Sequence, residues 1–326
     1  MDAHLTEEEE QLYDRQLRVW GLESQKRLRA ARVLVIGMHG LGSEIAKNLI
    51  LSGVRSLTMM DHTVVTEEDF SANLFVERSH LGKNRAESSL AHARQLNPSV
   101  EVTADTSCVK DKTDAFFKNF ELVCATGCDK AQIVSLDYTC RSLGIKFYYG
   151  AVWGLFGCMA ADCGLHEYTT MSSVPMQPKA GDESQKDGML DMTFQPLDDV
   201  LNADWKSEDL KGKAGALQPE FLLLLVLLEF QKRTGRKPSP ASRDKDLTVL
   251  KDIRDSWLPD IGIKEPEKVG DTYFSCLYGE VSPVCGIMGG IIAQEITKVL
   301  SQVEMPYNNL FFYNPLTCKG YVDTIP

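Results

Sequence analysis

The sequence predicts an α/β fold built on a doubly wound, mostly parallel sheet. Three observations support this prediction. Short β-branched runs alternate with amphipathic helical segments over the first half of the chain. A glycine-dense turn joins the first of these runs to the helix that follows it. The composition, 43% hydrophobic and 25% charged over 326 residues, is that of a folded globular protein.

The first half of the chain divides into elements in a regular order. Thr6 and Glu9 form a predicted capping box that begins a helix. The pattern then predicts strands at 32–37, 56–61, 100–105, 120–127 and within 145–161. Helices are predicted at 43–53, 86–98 and 131–144. A ligand of such a sheet is expected at the carboxyl ends of its strands, near 37–42, 61–73 and 125–129.

The second half of the chain is less regular. Residues 169–217 are polar, without periodicity, and predict a mobile loop. Helices predicted at 217–233 and 244–256 complete an insert that spans 169–262. The main domain is then formed by 1–168 and 263–326.

The end of the chain returns to a regular pattern. A helix is predicted at 283–301, with Ile287, Ile291 and Ile296 on its packed face, and two strands follow it. Gly289 and Gly290 indicate close packing of this helix. The segment 263–282 has no pattern that assigns a structure to it.

Charge and composition exclude several classes of protein. The net charge of −11 argues against nucleic acid or an anionic membrane as the main partner. The N-terminus is acidic and lacks the features of a signal peptide, and no apolar run reaches the length of a spanning helix. The nine cysteines include no CxxC pair, which argues against a structural zinc site or a disulfide framework, and Cys285 is read as a core residue.

The turn after the first strand, VLVIGMHGLGSEIAKN, is similar to a loop that cradles a phosphate at the start of a helix. Gly37, Gly40 and Gly42 are present, but His39 stands where the dinucleotide fingerprint has its middle glycine. Because close packing of a strand on a helix also needs glycines, the loop alone indicates binding and packing equally. Asp61 lies near the position of a ribose-binding carboxylate, which keeps an NAD-dependent oxidoreductase as an alternative.

Two arginines lie on one face of the N-terminal helix. Tyr13, Leu17 and Trp20 fall at i, i+4 and i+7 and form an apolar stripe, whereas Arg15 and Arg18 project from the opposite face. An exposed arginine is usually solvated, so the helical pattern by itself assigns no function to either residue.

Five segments together resemble one family, the adenylating enzymes that activate ubiquitin-like proteins and their bacterial sulfur-carrier relatives. They are YDRQLRVWG at 13–21, RVLVIGMHGLGSEIAKNLILSGV at 32–54, LTMMDHTVVTEEDF at 57–70, HLGKNRAES at 80–88 and PVCGIMGGIIAQEITK at 283–298. The segments occur in the family's order and span nearly the whole chain. The resemblance implies a Rossmann-like, ThiF-type adenylation fold with antiparallel C-terminal strands.

This chain departs from the active members of that family at the nucleotide site. By resemblance, the ribose aspartate, an asparagine, an arginine, a lysine and the magnesium-binding aspartate fall at Thr63, Asp69, Ala72, Arg85 and Cys128. These changes remove a carboxylate for the ribose, a cation for the phosphates and a hard oxygen ligand for Mg²⁺, and Asp69 adds repulsion toward a triphosphate. We therefore expect no functional nucleotide or metal site in this chain. The three loop glycines are then expected to serve only the packing of the fold.

A member that keeps the fold and loses its site resembles the smaller subunit of the heterodimeric activating enzymes. In those pairs the partner carries ATP, magnesium and the thioester cysteine. By resemblance, Arg15 reaches across the interface to the partner's triphosphate, where a fixed guanidinium stabilises developing charge.

The modest insert at 169–262 implies, by the same resemblance, that the modifier is SUMO. The expected partners are then the catalytic subunit, SUMO and, transiently, the SUMO-conjugating enzyme, and the expected location is the nucleus. Two alternatives remain open beside the oxidoreductase: a self-sufficient adenylating enzyme of the bacterial type, and a purely structural scaffold.

Overall fold

The computed structural model describes residues 6–170, 189–210 and 212–325. The strands in these residues are β1 Arg32–Ile36, β2 Ser56–Met60, β3 Glu101–Asp105, β4 Leu122–Thr126, β5 Lys146–Trp153, β6 Phe156–Asp162, β7 Leu165–Thr169, β8 Met189–Thr193, β9 Leu310–Asn314 and β10 Lys319–Asp323. The helices are α1 Glu7–Leu12, α2 Asp14–Ala30, α3 Gly40–Ser52, α4 Arg85–Leu96, α5 Asp114–Phe117, α6 Lys130–Ser142, α7 Leu197–Leu201, α8 Pro219–Thr234, α9 Arg243–Asp252, α10 Leu258–Asp260, α11 Asp271–Ser275 and α12 Ser282–Ser301.

Eight of the strands form one sheet in the order β10-β9-β6-β5-β4-β1-β2-β3. Strands β1 to β5 are parallel to their neighbours among themselves, whereas β6, β9 and β10 are antiparallel. Strands β7 and β8 form a separate antiparallel ribbon. The predicted α/β class, the mostly parallel sheet and the antiparallel C-terminal strands are therefore confirmed.

Helices cover both faces of the sheet, as a parallel sheet requires. On one face α3 and α12 pack against β1, β5 and β6 through buried residues that include Ile45, Leu49 and Ile292. On the other face α6 and α8 enclose a second apolar core with the same strands. Because β1 lies between β2 and β4, the turn that leaves β1 opens at the carboxyl edge of the sheet, next to the ends of both neighbours.

The N-terminal helix differs from its prediction. The capping box of Thr6 and Glu9 is present. The helix then breaks at Tyr13, which separates α1 from α2, and α2 itself is interrupted at Gly21, where φ is +82°. The apolar stripe itself is present: Tyr13 is buried at this break, and Leu17 and Trp20 are half-buried, whereas Arg15 and Arg18 are exposed.

The segment predicted as a polar loop, 169–217, contains a strand and a helix among its described residues. Residues 171–188 and 211 lie outside the described part of the chain. Strand β8 pairs with β7, and α7 follows with Leu197, Val200 and Leu201 buried. The prediction of a loop throughout is therefore wrong for 189–201. The segment QPLDDVL has apolar residues at helical spacing that pack into the core, but the polar residues around it hid this short pattern.

Helix α12 is long and apolar enough, by length and composition alone, to cross a membrane. In this structure it packs against α3, and 61% of its apolar window is buried inside the molecule. It is the central helix of a core. Gly289 lies at the contact as predicted, but Gly290 has open space beside it and Ile287 is 40% exposed, so these two assignments were wrong.

Candidate functional site: a glycine loop occupied by its own chain

The glycine loop runs from the end of β1 to the start of α3. Gly37 has φ of +85°, and a Cβ there would lie 2.5 Å from the Thr126 carbonyl oxygen. A Cβ on Gly42 would overlap the carbonyl oxygen of Gly37. A Cβ on Gly40 would lie 2.5 Å from the methyl group of Ala72. All three glycines are therefore required by packing alone, whatever the loop binds.

The carboxylate at the end of β2 is fully engaged by the chain itself. Asp61 Oδ2 accepts hydrogen bonds from the Met38 amide at 2.8 Å and from Arg85 Nη1 at 2.9 Å. Asp61 Oδ1 accepts from the amide and the hydroxyl of Thr63, at 2.9 and 2.6 Å. Both oxygens that could bind a ribose thus already have donors, and Thr63 supplies two of them.

Arg85 joins two buried carboxylates. Its Nη2 donates to Asp69 Oδ2 at 3.0 Å, its Nε lies 2.9 Å from Asp69 Oδ1, and it also contacts Thr63. The side chains of Arg85, Asp61 and Asp69 each keep only 4% of their surface exposed. The Asp69 carboxylate, expected to repel an anionic ligand, is therefore paired within the chain with Arg85, which it shares with Asp61.

The pKa values of this cluster follow from burial and charge together. Burial would raise the pKa of Asp61, but the positive charge of Arg85 and the hydrogen bonds of Thr63 and Met38 hold that pKa below its usual value. Burial would lower the pKa of Arg85, and the two carboxylates raise it instead. Asp61 and Arg85 are therefore both charged at neutral pH, and each stabilises the charge of the other.

The position expected to bind magnesium faces the apolar core. Cys128 is 4% exposed among core residues, and burial raises the pKa of its thiol to about 12, so the thiol is neutral. The neighbouring Asp129 begins α6 and accepts the Gln132 amide at 2.8 Å in a capping box. Neither side chain is presented as a ligand for a hard cation.

A cavity of about 330 Å³ remains beside the loop, lined in part by His39, Arg85, Lys237 and Glu280. Burial, followed by the charges of Lys237 and Arg85, lowers the pKa of His39 to about 4, so its imidazole is neutral at pH 7. The Glu280 carboxylate accepts the Leu41 amide at 3.2 Å, at the first turn of α3. The chain thus places a carboxylate of its own where a phosphate-binding loop presents its N–H groups.

Arg15 lies far from this loop. Helix α2 is held at the C-terminal end of α3, where Gln16 Nε2 donates to the Leu51 carbonyl at 3.3 Å. Leu51 lies about 16 Å along the helix axis from Gly40, at 1.5 Å per residue. Arg15 is exposed, and no residue in the described part of the chain forms an ion pair or hydrogen bond with it.

Arg18 is exposed, as the helical pattern predicted, but it has a partner within the chain. It forms an ion pair with Asp14 at 2.9 Å, one helical turn away. Arg15 and Arg18 are thus neighbours on one helix that differ in whether a partner in this chain engages them.

Comparison with known proteins defines the family. The ThiF family model matches residues 13–325. This chain belongs to the ThiF family. It is 41% identical to a SUMO-activating enzyme subunit 1 from Xenopus laevis over 99% of this chain and 98% of the relative. The corresponding proteins of Homo sapiens and Danio rerio are 41% and 40% identical, over 98% and 99% of this chain and 96% of each relative.

Of the predicted site residues of this ThiF chain, the structure brings most together. Asp69 and Arg85 form the charged cluster with Asp61, Thr63 donates to Asp61, and Ala72 packs on Gly40. Cys128 turns into the core and Arg15 lies at the other end of α3.

Two residues of the site were missed by the sequence analysis. Glu280 falls in the segment 263–282, to which the sequence assigned no structure, and Lys237 falls in the proline- and glycine-containing connection between α8 and α9. The available signal was an acidic residue just before the glycine-containing helix α12. A residue so far along the chain from the loop reaches it only through the tertiary fold.

Proposed function

We propose that this chain is the non-catalytic subunit of a heterodimer that activates SUMO. Its partner holds ATP and magnesium, adenylates the C-terminus of SUMO and carries the thioester cysteine, from which SUMO passes to the conjugating enzyme. This chain donates Arg15 in trans to the partner's ATP site and acts in the nucleus. Its relatives are named as SUMO-activating enzyme subunits, which supports the choice of modifier and of a multisubunit enzyme.

The observation that carries the proposal is the occupation of the chain's own site. The oxygens of Asp61 are taken by donors of the same chain, and Asp69 by Thr66 and Arg85. The magnesium position is a neutral, buried thiol. These residues do not fit a magnesium nucleotide, because every group that would bind it is either absent or already paired.

The placement of Arg15 supports its action on another chain. It is exposed, and no described residue of its own chain engages it. The adjacent Gln16 contacts Leu51, which lies about 16 Å along α3 from Gly40 of the loop. Adenylation builds charge on phosphate oxygens and on the departing pyrophosphate, and a guanidinium fixed beside them lowers that barrier.

The decisive experiment compares Arg15→Ala with Arg18→Ala in the reconstituted heterodimer. Both variants remove an exposed guanidinium from α2, so they match in charge and place. Arg15→Ala is expected to lower the rate of SUMO-dependent pyrophosphate release by at least about 10²-fold, the usual effect of losing one preorganised donor. Arg18→Ala is expected to leave the rate within about twofold, because exposed ion pairs contribute little.

Assembly is measured on the same samples by analytical ultracentrifugation. If Arg15→Ala forms the heterodimer and releases pyrophosphate at the unchanged rate, the chain is a scaffold and the catalytic part of the proposal is wrong. A single chain that makes SUMO adenylate with ATP and magnesium alone is a self-sufficient enzyme instead. Saturable binding of NAD would support the oxidoreductase.

A further inference from the structure

We propose that Glu280 is an autoinhibitory contact: its carboxylate stands in the phosphate position of the glycine loop, and its removal opens the adjoining cavity to inorganic phosphate. The inference rests on the proposed loss of nucleotide binding by this chain, and it gives that loss a cause separate from the altered ribose and magnesium positions. It is independent of Arg15, so either proposal can fail alone.

The contact is specific in its geometry. Glu280 Oε2 accepts the Leu41 amide at 3.2 Å and would lie only 2.7 Å from a Cβ on Gly40. The Ala72 methyl group lies 2.5 Å from the same Cβ position, so both groups pack on the same face of Gly40. The beginning of α3 is thereby covered by a carboxylate and a methyl group of the chain itself, and its N–H groups face an anion that cannot diffuse away.

The segment that carries Glu280 is fixed by its backbone. The amide of Gly154, just after β5, donates to the Gly279 carbonyl at 2.7 Å, and a bridge links Gly154 to Glu280. The hydroxyl of Ser71 donates to the Glu280 carbonyl at 3.4 Å. Because strand and loop hold this backbone on both sides, the carboxylate is held at the loop rather than sampling solvent.

The cavity beside Glu280 is suited to an anion once the carboxylate is gone. Lys237 and Arg85 line it together with Glu68 and Asp69, of which Asp69 is paired with Arg85, and the positive end of the 13-residue helix α3 faces it. Arg85 is already compensated by Asp61 and Asp69. Lys237 is therefore the cation left to balance a phosphate, which makes it the residue on which a gained affinity depends.

The test is calorimetric titration of the full chain with inorganic phosphate, with sodium chloride at equal ionic strength as the blank. The wild-type chain is expected to show no saturable binding up to about 10 mM phosphate, whereas Glu280→Ala is expected to bind at least about tenfold more tightly than that limit. Glu167→Ala, which removes an exposed glutamate from β7, is the matched control and is expected to behave as the wild type.

Two further variants decide the outcome. Glu280→Gln keeps the shape of the side chain and removes its charge, so it also gains affinity if the charge is what excludes phosphate, and it replaces the alanine variant if that one fails to fold. Adding Lys237→Ala to Glu280→Ala is expected to abolish the gain. The proposal is overturned if neither Glu280 variant binds phosphate better than the wild type, or if the gain survives the loss of Lys237.

Discussion

At the scale of single residues, the site shows how substitutions that look destructive can compensate one another. In the sequence, the changes at Asp69 and Arg85 read as a lost asparagine and an altered lysine. In the structure they are one hydrogen-bonded pair that also engages Asp61. The sequence could predict that the nucleotide ligands are missing, but not that their replacements bind each other, because residues 16 positions apart meet only through the fold.

The charged cluster gives a stability prediction. Arg85→Ala removes the guanidinium that lies between the buried carboxylates of Asp61 and Asp69, and it is expected to lower the free energy of unfolding by about 3–5 kcal/mol. Arg78→Ala is the control, since its ion pair with Glu67 is exposed and contributes less than about 1 kcal/mol. Urea denaturation of both variants measures the difference, and equal losses would contradict this account.

At the scale of elements, the sequence predicted well wherever periodicity is set by burial. The strands from β1 to β6 and the helices α3, α4, α6, α8 and α12 lie within a few residues of their predicted positions. The pattern placed Tyr13 correctly on the apolar face of the N-terminal helix but missed the break of the helix there. At this break the Tyr13 hydroxyl accepts a hydrogen bond from Asn97 at 2.8 Å, a contact between distant parts of the chain that periodicity does not show. The pattern also failed to distinguish two adjacent glycines of α12.

Those glycines provide a paired prediction about the contact between α12 and α3. A Cβ on Gly289 would lie 2.5 Å from the Glu44 Cβ, whereas a Cβ on Gly290 meets nothing within 4 Å. Gly289→Ala is expected to destabilise the chain by about 1–3 kcal/mol, because the two helices must separate. Gly290→Ala is expected to stabilise it by about 0.5–1 kcal/mol, because alanine favours the helix.

Thermal unfolding of the two variants under identical conditions measures this contrast. If both glycines respond with the same sign, the close approach of the helices is not what Gly289 provides.

At the scale of the whole molecule, the insert is packed into the main domain rather than set apart from it. Buried residues of α7 and α8 belong to the same apolar core as strands β4, β5, β6 and β9. A polar contact joins the same parts: Asp137 of α6 accepts the Leu197 amide at 2.8 Å, and Arg141 of α6 donates to the Phe194 carbonyl at 3.3 Å as well as to Asp162 of β6 at 2.6 Å. The sequence analysis recognised the insert by its polar composition. That composition reflects the exposed surface of the insert and does not show where its apolar residues pack.

This contact predicts how the stability of the whole chain depends on pH. Burial, and next the charge of Asp162, raise the pKa of Asp137 from its ordinary 3.8 to about 7. Between these two values the folded chain holds a proton that the unfolded chain releases, so this group makes the free energy of unfolding fall as the pH rises, by up to about 1.4 kcal/mol per pH unit. Above pH 7 the full loss is present.

Asp137→Asn removes this titration while its side-chain oxygen can still accept the Leu197 amide. The variant is therefore expected to gain stability relative to the wild type as the pH rises from 5 to 8, measured by urea denaturation across that range. Asp198→Asn, an exposed carboxyl on α7, is the control and is expected to follow the wild type. If the free energies of unfolding of the wild type and of Asp137→Asn instead change equally with pH, Asp137 is ionised over the whole range. The contact between the insert and the sheet would then carry a permanent negative charge.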